Sequence, residues 1–161
     1  MSDCLYVRIQ LECDFFEKEV SEFLFEVVAE GCRRKIAVSF FKDAFVPGKK
    51  ECVLALADSF NFDLGTPLIG NDLDYEVAEY RPLPLHERLL NLQRLYQFIY
   101  DQPIAHSVEA IFTLDFDLDG LPEIEVELDR FADTYEELFR ESAKVDSNLP
   151  HKMKSIWQKS K

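Results

Sequence analysis

Apolar side chains recur along this chain with two different spacings, and the switches between them mark out its elements. Leu5, Val7, Ile9 and Leu11 alternate with Tyr6, Arg8 and Gln10, the period of two that sets one strand face on a core, which predicts a first strand over about 5–12. From Asp14, a residue able to cap a helix, Phe16, Val20, Phe23, Leu24, Val27 and Val28 recur three and four residues apart, and Gly31 offers a stop. Alternation returns through Ile36, Val38 and Phe40. Val46-Pro47-Gly48-Lys49 has Pro and Gly where a type II turn wants them, and Cys52, Leu54 and Leu56 then predict a strand over 51–57 paired back across that turn.

Residues 58–83 are rich in Gly, Pro, Asn and Asp and read as a long loop, a kind of segment that is often functional. Pro84 suits the first position of a helix whose stripe is Leu85, Leu89, Leu92, Leu95, Tyr96 and Ile99, ended by Asp101-Gln102-Pro103. Val108, Ala110, Phe112, Leu114, Phe116 and Leu118 alternate, Asp119-Gly120-Leu121-Pro122 reads as a turn, and Ile124, Val126 and Leu128 alternate again. This pattern predicts a hairpin. A third helix is predicted from Asp133 or Thr134 to about Lys144, with Tyr135, Leu138 and Phe139 inward.

These elements predict an α+β fold, a mainly antiparallel sheet of about five strands with three helices packed on it. Residues 1–146 form one acidic domain in this reading. Residues 147–161, with Lys152, Lys154, Lys159 and Lys161 and the only tryptophan, Trp157, read as a basic C-terminal tail that folds back on the body or frays.

Charge narrows the function. The formal net charge is −13, which argues against nucleic acid as a partner, because that contact rests on Lys and Arg neutralising phosphates. A charged partner should instead be basic. The first residues lack the basic and apolar regions of a secretory signal, and no stretch reaches the roughly 20 apolar residues of a membrane span; a cytoplasmic protein without a membrane span is expected. Cys4, Cys13, Cys32 and Cys52 contain no CxxC pair and are read as buried or partly buried free thiols, not as a zinc site.

The residues alternating with the apolar set of the expected hairpin are Asp115, Asp117, Asp119, Glu123, Glu125, Glu127 and Asp129. Like charges about 6.7 Å apart along a strand, and closer across it, cost stability unless something cationic covers them. A solvated strand face is the plain reading; a surface that steers and holds a basic protein is the functional one. Asp115-Phe-Asp117-Leu-Asp119-Gly120 also opens like an EF-hand calcium loop, but the twelfth loop position is Val126 where a bidentate Glu belongs. No metal or other cofactor is expected. The chain has no nucleophile elbow, P-loop, dinucleotide fingerprint or zinc-protease helix. His86, His106 and His151 stand isolated, and a non-catalytic protein is expected.

In size, charge and acidic face the chain resembles bacterial toxin-immunity proteins. The resemblance is one of class and matches no family motif. It implies tight binding of a cognate toxin domain, often a basic nuclease, with the inhibitor lying where nucleic acid would lie. The partner-binding residues would be the seven acids above together with Asp133, Glu136 and Glu137 on the third helix. The alternatives are a regulatory or adaptor domain that uses the aromatic loop 58–70, with Phe60, Phe62 and Leu68, or a calcium-binding protein.

Overall fold

The structure, a computed structural model, describes residues 4–13, 17–40, 50–58, 84–113, 120–145 and 153–160. Its strands are Cys4–Leu11 (β1), Ile36–Phe40 (β2), Glu51–Asp58 (β3), Ala105–Thr113 (β4) and Met153–Gln158 (β5). They hydrogen-bond in the order β2-β3-β1-β4-β5, each neighbour antiparallel. The helices are Lys18–Arg33 (α1), Leu85–Asp101 (α2) and Phe131–Val145 (α3), the last entered through a 3-10 turn over Leu128–Arg130. The α+β class expected from the periodicities is what forms.

Alternation explains why one side of the sheet carries all three helices. Leu5, Val7, Ile9 and Leu11 of β1, Cys52, Leu54 and Leu56 of β3, and Val108, Ala110 and Phe112 of β4 share one core cluster with the helical stripes. In α1 that stripe is Val20, Phe23, Leu24 and Val27, and in α2 it is Leu89, Leu92, Leu95, Tyr96 and Ile99. The opposite face holds a smaller cluster of Tyr6, Val53 and Ile111. Beside it Arg8, Glu109 and Lys154 form an ion cluster, with Arg8 Nε and Nη2 donating to the Glu109 carboxylate at 2.7 and 3.0 Å and Lys154 Nζ at 3.3 Å.

Several expectations change. α1 does not stop at Gly31 but continues to Arg33, and the left-handed residue after it is Lys35, with φ 61°. Gly31 instead lets β2 approach: an ideal Cβ there would lie 2.6 Å from Val38 Cγ2 and 2.8 Å from the Ile36 carbonyl oxygen. Gly31→Ala should therefore cost about 1–3 kcal/mol by overpacking, although alanine is the better helix former. Adding Val38→Ala should not restore the loss measured by urea unfolding, because the carbonyl stays in place; full recovery would show that only the Val38 methyl was in the way.

α3 begins at Phe131, ahead of the Asp133 or Thr134 start read from sequence. Its cap comes from another helix: Gln93 Oε1 accepts from the Ala132 N–H at 2.8 Å, and Gln93 Nε2 donates to the Asp129 carbonyl at 3.2 Å. The buried side chains of Leu128 and Phe131 anchor the same turn.

The arm of the predicted hairpin beyond Thr113 lies outside the described residues, and within them β4 finds its outer neighbour further along the chain. β4 takes β5 as its outer neighbour, and residues 122–124 lie beyond β5, bridged in parallel through Glu123 and Lys154. The segment thus runs antiparallel to β4, as a hairpin would, with a strand inserted between. Gly120, at φ 74°, still lies in the turn region read from sequence. Of the residues read as a tail, Met153–Gln158 supply that inserted strand, with Met153, Ser155 and Trp157 buried. Asp14 and Phe16, the turn at 46–49, residues 59–83 of the long loop, and Leu114, Phe116 and Leu118 lie outside the described residues.

Of the cysteines read as buried or partly buried, Cys52 is buried, Cys13 half-buried and Cys32 exposed. Burial pushes the Cys52 thiol up to about 12.

Candidate functional site

Residues 122–127 are held against β5 by four hydrogen bonds. The Lys154 N–H donates to the Pro122 carbonyl at 3.0 Å and the Ile124 N–H to the Lys154 carbonyl at 2.8 Å. Ser155 Oγ donates to the Ile124 carbonyl at 2.8 Å, and Trp157 Nε1 to the Val126 carbonyl at 2.9 Å. The tether reaches into the core, since the Tyr135 hydroxyl meets Ser155 Oγ at 2.6 Å. Burial pushes the Tyr135 phenol up to about 12, against the opposing pull of the Ser155 bond. With the phenol protonated and the Ser155 proton on Ile124, Tyr135 is the donor to Ser155.

Held extended, the segment keeps the alternation of its sequence. Ile124 and Val126 pack against the core, while Glu123, Glu125, Glu127 and, after the 3-10 turn begins, Asp129 are exposed. None of these four carboxylates has an ion-pair partner among the described residues. The nearby C-terminal lysines are engaged elsewhere: Lys154 on Glu109, and Lys159 on the Gln102 carbonyl at 2.8 Å and over the Tyr100 ring. Glu123, Glu125 and Glu127 wall a shallow groove floored by Ile124, Val126 and Ile156, the last 39 % exposed. An adjoining hollow continues past Glu127 to Asp129, with Tyr100 and Trp157 in its lining.

The backbone of this edge also has unused capacity. The parallel bridge employs Pro122 and Ile124, so the N–H and C=O of Glu123 and of Glu125 make no hydrogen bond among the described residues. Two residues apart on one edge, they have the spacing at which a strand accepts a neighbour.

The other expected site residues fall elsewhere. Asp115, Asp117 and Asp119 lie outside the described residues. Asp133 and Glu136 face His86, whose Nδ1 is 3.8 and 3.5 Å away, and Glu136 also meets Arg140 at 3.6 Å. Glu137 is exposed on α3. None of Asp133, Glu136 and Glu137 lines the groove or the adjoining hollow. Ile156 and the two side-chain tethers, Ser155 and Trp157, were missed in sequence; the signal for them was the short alternation of Met153, Ser155 and Trp157.

Among the described residues no group of three or more His, Cys, Asp or Glu side chains is placed to hold a metal ion, and no helix is long and apolar enough to cross a membrane. The groove offers carboxylates and an apolar floor, which suits the alkyl stem and charged tip of lysine or arginine. No family model, characterised protein or solved structure matches the chain.

Proposed function

We propose that this protein is a non-catalytic binding domain that acts in the cytoplasm as an immunity protein, capturing and neutralising a basic, nuclease-type toxin domain through the acidic edge beyond β5. The observation that carries the reading is the row Glu123, Glu125, Glu127 and Asp129, exposed and without ion pairs among the described residues on a segment whose alternate side chains are anchored in the core. Unneutralised carboxylates on a braced segment are preorganised for a cationic partner and raise its rate of encounter. The backbone groups of Glu123 and Glu125, which make no hydrogen bond among the described residues, are spaced to take an extended basic segment of that partner along the same edge.

The test is kinetic. With the partner captured from the native host and identified, Glu123→Lys, Glu125→Lys and Glu127→Lys combined should lower the association rate at low ionic strength by about tenfold or more, within the range over which steering acts. The variant's rate should also lose most of its dependence on salt. Because the three side chains are exposed, its urea midpoint should barely move. An unchanged rate with an unchanged salt dependence would remove this edge from the binding surface.

A further inference from the structure

A second charged feature has the opposite sign and lies by the other edge of the sheet. Where α1 ends and the chain turns into β2, Arg33, Arg34 and Lys35 meet the Glu87, Leu90, Asn91 and Arg94 face of α2 around a cleft of about 420 Å³. Residues spaced by three, one and three lie on one side of a helix, so the α2 wall is a direct product of its sequence. Four cations converge here in a chain whose formal net charge is −13.

The guanidinium groups are positioned, not merely near each other. Arg33 Nη1 donates to Glu30 Oε2 at 2.7 Å and Arg34 Nε to Glu30 Oε1 at 3.0 Å, and the Glu30 carboxylate is only 9 % exposed. One buried carboxylate therefore fixes two forks side by side. Each guanidinium carries five donors, and beyond the bond to Glu30 neither has another partner among the described residues. Arg94 is exposed and makes no hydrogen bond or ion pair among the described residues, and the half-buried Asn91 carboxamide is likewise unused. With Glu30 shared by Arg33 and Arg34 and Glu87 in the lining, the four cations still leave the cleft net positive, which favours a bound anion.

We propose that this cleft binds a small phosphate-bearing molecule, with the phosphate held by Arg33, Arg34 and Arg94 and the organic part lying along Asn91 and Leu90. Guanidinium forks match the geometry of phosphate oxygens and bind them by paired, charge-assisted hydrogen bonds. The space is of the size that accommodates a nucleotide-sized ligand and exceeds what a lone ion requires. β2 and β5 are opposite edges of the sheet, roughly 19 Å apart at the spacing of adjacent strands. That separation is about two screening lengths at physiological salt, so the acidic edge neither supplies nor cancels this site.

The experiment is calorimetric titration of the full chain at physiological ionic strength with inorganic pyrophosphate and with adenosine 5′-monophosphate, adenosine serving as the uncharged comparison. Saturable binding of both phosphates is expected, with none of adenosine. Arg94→Gln, which breaks no contact seen among the described residues, should weaken both by about tenfold or more, the loss of one charge-assisted pair. Glu125→Lys, at the other edge, should leave both unchanged. Failure of both phosphates to bind saturably would overturn the proposal, as would binding that survives Arg33→Gln combined with Arg94→Gln. Binding of a hexaglutamate peptide with neither phosphate bound would overturn the ligand class.

Discussion

Trp157→Ala is expected to remove about 3–5 kcal/mol of stability, the usual cost of deleting a large buried aromatic side chain. The indole is 9 % exposed and packs with its centroid 5.7 Å from that of Tyr96 and 5.9 Å from that of Phe131. Phe131 in turn lies tilted against Tyr135 with centroids 4.3 Å apart, so one truncation opens a cavity in an aromatic group contributed by α2, α3 and β5. It also deletes the Nε1–H bond to the Val126 carbonyl. A second effect follows from that bond: the 122–127 segment loses one of its two side-chain tethers, and the Ile124 amide, bonded to the Lys154 carbonyl, should exchange faster with solvent than in the parent protein. Urea unfolding and hydrogen exchange measure the two effects. A loss below about 1 kcal/mol, typical of a surface substitution, would mean that β5 is dispensable to the folded core.

Glu109→Ala should be nearly as costly, about 3 kcal/mol, for an electrostatic reason. Glu109 lies opposite Arg8 in the β1–β4 register and diagonally from Lys154 on β5, so its carboxylate joins three adjacent strands. Its side chain is 9 % exposed and those of Arg8 and Lys154 are each 16 % exposed. Removing the anion leaves two largely buried cations on neighbouring strands without the charge that separates them, the situation in which a broken buried pair is most destabilising. Because little solvent reaches the cluster, the loss measured by urea unfolding should change little between low and high sodium chloride. A loss that vanished at high salt would show the cluster to be a solvated surface pair, worth only the small amount such pairs contribute.

Much of the molecule was legible in sequence because the relevant information is local. The period of two in Leu5–Leu11 and in Val108–Phe112, and the helical stripes of α1 and α2, each record which side chains face a core, whatever that core is made of. The same rule made the acidic edge legible: once Ile124 and Val126 are inward, Glu123, Glu125 and Glu127 can only be outward. Contributions from distant residues left no such record. Gln93 caps α3 from 39 positions away, and the cleft beside Arg33 and Arg34 is completed by Glu87, Leu90, Asn91 and Arg94 of α2.

By itself the sequence determined the α+β class, the inward and outward faces of each strand, and the sign of charge that the 123–129 segment presents. Only the tertiary structure decided which strand lies beside β4. Residues 123–128 and 153–158 both alternate, and both could satisfy its backbone groups. The position went to the strand that carries Trp157 into the aromatic core, because inward burial of a large side chain outweighs the short loop closure that favours a local hairpin. The acidic segment was thereby placed on the outside of β5, where the backbone groups of Glu123 and Glu125 make no hydrogen bond among the described residues.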